Sequence, residues 1–190
     1  MVKQKGGSNE ITLSLSNLFN FFSFLTPFLI VFFLVMISIF NMDIKGFIYL
    51  GGILMVSIIN KLLMNIIKSP QIENKNPLCG VLSLPFSSDN DRYNSPSQNS
   101  VIICFTFAYL LLPMIFNNQV NYAVIISFIS IFIIDSFSQL SNSCTNGAGV
   151  ILGGLVGIIF GSIFYTLIFH SGYKNLLFFQ EFQSNNVICK

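Results

Sequence analysis

The sequence predicts an all-α fold, a polytopic transmembrane helix bundle of about five spans. Three observations predict it. Hydrophobic residues make up 53% of the 190 and charged residues only 8%, too few charges to solvate the surface of a soluble domain. Apolar runs recur at lengths near the roughly 20 residues that cross about 30 Å of hydrocarbon. Gly149, Gly153, Gly157 and Gly161 recur every fourth residue within the last of these runs, a spacing that stacks them on one helix face. In water each would cost about 1 kcal/mol against Ala. In a bilayer the same stripe lets a neighbouring helix approach to backbone contact.

The elements follow in order. Residues 1–17 are a polar N-terminal segment, 18–170 the membrane domain and 171–190 a C-terminal tail. The first span is Leu18 to Phe40. Lys3 and Lys5 precede it, but the run is far longer than a signal-peptide core and has no small-residue cleavage site, so a retained anchor is expected. Phe47 to Ile67 is the second span, polar only at Asn60 and Lys61 near its end. The loop 68–100 is rich in Ser, Asn and Asp, and its Leu78 to Phe86 stretch is apolar enough to lie on the membrane or cap the bundle. Val101 to Phe116 is short and carries Pro113, which predicts a kinked or thinned crossing. Only Asn117-Asn118-Gln119 separates it from Val120 to Leu140, so a re-entrant pair is the alternative for these two runs. Val150 to Phe169 is the fifth span. Beyond it, the aromatic patch Leu176 to Phe182 is expected at the interface. There is no Trp, so Tyr49, Tyr109, Tyr122 and Tyr165 are the expected interfacial anchors.

With five spans, the N-terminus, the loop 68–100 and the turn between spans four and five share one face. That face holds Lys3, Lys5, Lys61, Lys68, Lys75 and Arg92, against Lys45, Lys174 and Lys190 on the other. Six basic residues against three favours the first face as cytoplasmic. Cys79, Cys104, Cys144 and Cys189 lack CxxC spacing and read as isolated thiols, with a Cys79–Cys144 bridge as the alternative. The single His170 and the absence of a ligand cluster argue against a metal site. No cofactor motif and no nucleic-acid-binding signature is present. Membrane lipids are the expected partners, together with a transmembrane partner or a second copy on the glycine face.

In a membrane chain the polar residues near the spans carry the functional information. They collect on the first face. Asn60, Lys61 and Lys68 end the second span, Pro96-Ser97-Gln98-Asn99-Ser100 opens the third, and Asp135, Ser136, Ser138 and Gln139 close the fourth. Thr145 and Asn146 lead into the fifth. Two lysines, short hydroxyls and two helix N-termini suit an anion. Asp135 is costly near the end of a span and calls for a partner, for which Lys61 is the natural choice.

The order and spacing of these residues resemble the type 2 phosphatidic acid phosphatase superfamily, the lipid phosphate phosphatases. That family carries Lys, six residues, Arg-Pro; then Pro-Ser-Gly-His; then Ser-Arg, five residues, His, three residues, Asp. Here Lys61 is followed after six residues by Lys68 and then Ser69-Pro70. Pro96-Ser97-Gln98-Asn99 comes next, and Ser138-Gln139 is followed after five residues by Thr145 and after three more by Gly149. The resemblance spans roughly Lys61 to Gly161 and includes the glycine helix. It implies a phosphate-binding remnant of Lys61, Lys68, Ser97, Asn99, Ser138, Gln139 and Thr145.

The resemblance also implies that catalysis is gone. The family's nucleophilic His reads Thr145, the Asp that activates it reads Gly149, and the His that protonates the leaving group reads Asn99. An unactivated hydroxyl is a poor nucleophile, and an amide is no general acid. His170 lies about 25 residues past Thr145, roughly 35 Å along the helix. The expectation is therefore no catalytic residue, and a non-catalytic headgroup-binding or structural membrane component. An active phosphatase rewired around Thr145 is one alternative. An unrelated structural protein of a viral or organellar membrane, whose glycine helix binds a partner span, is the other; heavy use of Asn, Ile and Phe is a compositional hint of an AT-rich genome.

Overall fold

A computed structural model describes residues 15–70, 79 and 93–178. These residues form five α-helices: α1 (Leu15–Phe40), α2 (Lys45–Ile67), α3 (Gln98–Phe116), α4 (Tyr122–Ser141) and α5 (Gly147–His170). A single 3₁₀ turn, Lys174–Leu176, follows. All five helices are long and apolar enough to cross a membrane, and the protein is an integral, multi-pass membrane protein. At 19 and 20 residues, α3 and α4 reach about 28–30 Å at helical rise, so each is a full crossing and not half of a re-entrant pair. Pro113 lies inside α3, which continues to Phe116. Its ring removes one backbone donor, and the helix still continues past it.

α3 is the central helix. Ser100 through Thr106 are buried without a break, so it is enclosed on all sides, and it packs against each of the other four helices. Its largest seam is with α5, and the glycine stripe makes that seam. A Cβ placed on Gly153 would lie 2.6 Å from the Ser97 carbonyl oxygen and 3.0 Å from Ser100 Cβ. On Gly157 it would lie 2.8 Å from the Phe105 nitrogen, and on Gly161 2.7 Å from the Phe105 carbonyl oxygen. The α5 backbone thus runs directly on the α3 backbone over three turns, which only glycine permits. The face that the sequence offers to a partner span or a second copy is occupied by α3 of the same chain.

The far half of the bundle is closed by aromatics. Tyr49, Phe105, Tyr109 and Phe164 pack with ring centroids 5.6–6.4 Å apart, and the Tyr49 and Thr106 hydroxyls meet at 2.6 Å. Three of the four expected interfacial tyrosines are in the core instead: Tyr49, Tyr109 and Tyr165 are 0–1% exposed, and Tyr122 alone is open, at 73%. Buried rings packed on one another gain more dispersion and edge-to-face attraction than rings at the headgroups. The tail patch departs from expectation in the same way. Leu177 is buried, and Phe178 sits 6.3 Å from Tyr49 and 6.5 Å from Tyr109. Residues 179–182 lie outside the described residues.

α4 is different. Its buried residues are Asp135, Ser138 and Gln139, all in its last two turns, while Ile126, Ile129, Ile133 and Phe137 point outward. Lipid is as good a solvent for those side chains as another helix. Within the described residues α4 is anchored largely by polar contacts at one end, which is the end where the candidate site lies.

Candidate polar site at one end of the bundle

The C-terminal ends of α2 and α4 and the N-terminal ends of α3 and α5 meet at this end of the bundle. Local sequence explains each terminus. α2 stops at Lys68, which adopts φ +51° and returns its backbone N–H to the Met64 carbonyl. α5 starts behind Asn146, whose side chain accepts the Gly149 N–H at 2.7 Å. α3 starts behind Ser97, but the Ser97 side chain makes no capping bond.

The Ser97 hydroxyl instead donates to Gln139 Oε1. Gln139 Nε2 in turn donates to Asp135 Oδ2, one turn back along α4, and Asn99 Nδ2 donates to Asp135 Oδ1 at 3.3 Å. This chain of four side chains ties α3 to α4. A second group ties α2 to α3: Asn60 Nδ2 donates to Gln98 Oε1 at 2.7 Å, and Gln98 Nε2 donates to Ser57 Oγ at 2.8 Å. A third ties α1 to α4, with Ser138 donating to Asn20 Oδ1 at 3.2 Å and Asn20 Nδ2 donating to Asn142 Oδ1 at 3.3 Å. Finally, Thr145 Oγ1 donates to the Asn94 carbonyl at 2.9 Å, and the Ser97 N–H donates to the Gly149 carbonyl at 2.9 Å. Asn60, Ser97, Asp135, Ser138, Gln139 and Thr145 are all buried. Low polarity around such a network strengthens each bond and raises the cost of any left unmade.

Two expectations are corrected here. Asp135 takes amide donors from Asn99 and Gln139, where Lys61 was expected. One amide from α3 and one from α4 itself satisfy the acid without bringing a second charge into the bundle. The ion pair seen among the described residues is Lys45–Asp43, 3.6 Å apart in the α1–α2 turn at the opposite end. The second correction concerns cysteine. Cys79 and Cys144 are joined in a disulfide across 65 residues, with Cα atoms 5.5 Å apart, while Cys104 is a free thiol in α3. Cys79 is the described part of the Leu78 to Phe86 stretch; the rest of it lies outside the described residues.

The predicted remnant is therefore divided. Ser97, Asn99 and Gln139 share one hydrogen-bonded group around Asp135, while Ser138, bonded to Asn20, and Thr145, bonded to the Asn94 carbonyl, belong to two separate ones at the same end. Lys61 is half-buried and Lys68 exposed on the last turns of α2, where the bonds of the layer run through Asn60, one residue before Lys61. The Thr145 hydroxyl faces a backbone carbonyl, which is no base. His170 is at the other end of α5. No cluster of three or more metal-ligating residues occurs among the described residues.

Sequence reasoning overlooked Asn20. A lone amide between Phe19 and Phe21 in an apolar run is expensive in a bilayer and implies a partner, so the signal was present. Asn142 and Asn94 carried no such signal, because polar residues in turns are ordinary. No family model, no curated protein and no solved structure matches this chain.

Proposed function

We propose that this protein is a non-catalytic structural component of its membrane, built on a lipid-phosphatase-like plan whose polar end has become a helix-locking layer. One observation carries the reading. Residues at several positions that resemble the phosphatase's phosphate-binding and proton-transferring sites are engaged within the bundle: Ser97 with Gln139, Gln139 and Asn99 with Asp135, and Thr145 with a backbone carbonyl. The buried Asp135 at their centre takes up the amide donors of Asn99 and Gln139 that a phosphate would need. Among the described residues no nucleophile and base stand together there.

Purified protein in lipid nanodiscs tests this on phosphatidic acid and isoprenyl pyrophosphate. The expected result is no phosphate release above the empty-nanodisc background, from the parent chain and from Thr145→Ala alike. Turnover by the parent that Thr145→Ala abolishes would refute it.

A second reading, headgroup binding, is favoured by one feature. With Ser97 turned to Gln139, the first-turn N–H groups of α3 lack a side-chain cap, and Lys61 and Lys68 end the neighbouring helix. Such a terminus attracts anions. Retention of phosphatidic acid through purification, lost in Lys61→Ala plus Lys68→Ala, would favour this reading over the structural one.

A further inference from the structure

We infer that the polar end of the bundle faces an oxidising compartment, the exterior or an organelle lumen, and that the C-terminal end of α5 faces the cytosol. The inference rests on the disulfide and is independent of any kinship with phosphatases. Cys79 follows α2 and Cys144 lies between α4 and α5, so the bond belongs to the end where α2 and α4 finish. Disulfides persist where the surroundings are oxidising, and cytosolic thiol pools reduce accessible ones. Cys79 is half-exposed, so the bond is not sealed inside the bundle away from exchange. Cys104, enclosed within α3, has no partner and remains a thiol. The bridge is therefore confined to one end of the molecule.

This reverses the orientation drawn from basic residues, and the weights justify the reversal. Of the six basic residues on the first face, Lys68, Lys75 and Arg92 belong to the loop 68–100. Without that loop the two faces tie at three each. It is the same loop that Cys79 fastens to the α4–α5 turn. A bias in lysine and arginine is a statistical tendency of membrane insertion. A covalent bond between two thiols requires an oxidant on their own side of the membrane.

Two measurements on the full-length chain in cells test the inference. Cells are quenched with N-ethylmaleimide, and the denatured protein is then reduced and treated with a polyethylene-glycol maleimide. The expected gain is two adducts in the parent and none in Cys79→Ser plus Cys144→Ser. In the second measurement, external thiols are blocked, the plasma membrane is opened with digitonin, and an impermeant maleimide is delivered to the cytosol. The reporters, in a Cys104→Ala, Cys189→Ala background, are Tyr173→Cys, at an exposed position after α5, and separately Cys79 itself freed by Cys144→Ser. Labelling at 173 with Cys79 protected is the expected pattern. Any other pattern, or a parent whose Cys79 and Cys144 are already blocked by the first quench, overturns the inference.

Discussion

Replacing Gly153 with alanine is the sharpest test of how this bundle is held. The added methyl would stand 2.6 Å from the Ser97 carbonyl oxygen, 3.0 Å from Ser100 Cβ and 3.2 Å from the Ser97 nitrogen. Ordinary contact begins near 3.4 Å, so the shortfall against the oxygen is 3.4 − 2.6, or 0.8 Å. Two of the three opposing atoms are backbone, which does not rotate aside. The helices must therefore separate locally by that amount, and a gap of roughly 0.5–1 Å forfeits a quarter to a half of each van der Waals well it opens. Overpacking of this kind costs about 1–3 kcal/mol. The helix-propensity gain of Gly→Ala offsets little of it, because the spans stay helical in the SDS-denatured reference state. We expect a net loss of about 2 kcal/mol, roughly a thirtyfold shift in the unfolding constant. Reversible SDS titration of the detergent-solubilised protein, followed by near-UV circular dichroism of its packed tyrosines, reads it directly. Gly51→Ala and Gly147→Ala are the controls, since a Cβ there meets nothing within 4 Å, and each should stay within about 0.5 kcal/mol of the parent. If Gly153→Ala is as silent as the controls, α5 does not rest on α3 through its backbone. A dimer lost without any fall in monomer stability would place the glycine face between copies instead.

Three further outcomes follow from the same geometry. Asp135→Ala orphans the Asn99 and Gln139 amides in the bundle interior, for about 1–3 kcal/mol per stranded donor, whereas Asp135→Asn keeps one acceptor and costs less; SDS titration ranks the two. Tyr49→Phe removes the hydroxyl that meets Thr106 at 2.6 Å and should cost about 1 kcal/mol. Tyr109→Phe removes a buried hydroxyl with no partner among the described residues, so thermal melting should show it unchanged or stabilised, and equal losses in both variants would refute the assignment. Phosphatase assays of the parent and of Thr145→Ala should both read background.

The two ends of the molecule use different physics for one task. At the far end, rings and the returning tail residues Leu177 and Phe178 fill the space between α2, α3 and α5. At the near end, amides and hydroxyls bind helix termini to each other. α4 shows why the second device is needed. With Ile126, Ile129 and Ile133 outward, it has few apolar contacts with the bundle, such as Phe128 on Phe107, and its polar last turns add to them.

The residues alone determined the number, order and approximate limits of the spans, because hydrocarbon sets a minimum length for an apolar run and loops must hold the charges. They also determined that one helix would be packed through a four-residue glycine stripe, since 3.6-residue periodicity turns that spacing into a face. They could not name the helix on that face. Any neighbour able to come close enough would satisfy the stripe, and only the folded arrangement selects α3. The gathering of polar residues at one end was likewise written in span polarity, but their pairing was not. Whether Asp135 meets Lys61 or the amides of Asn99 and Gln139 depends on how three helices are rotated about their axes, and a rotation of one residue changes every partner. The bond between Cys79 and Cys144 is of the same kind: sequence supplies the thiols, and only tertiary structure brings positions 65 residues apart to a Cα separation of 5.5 Å.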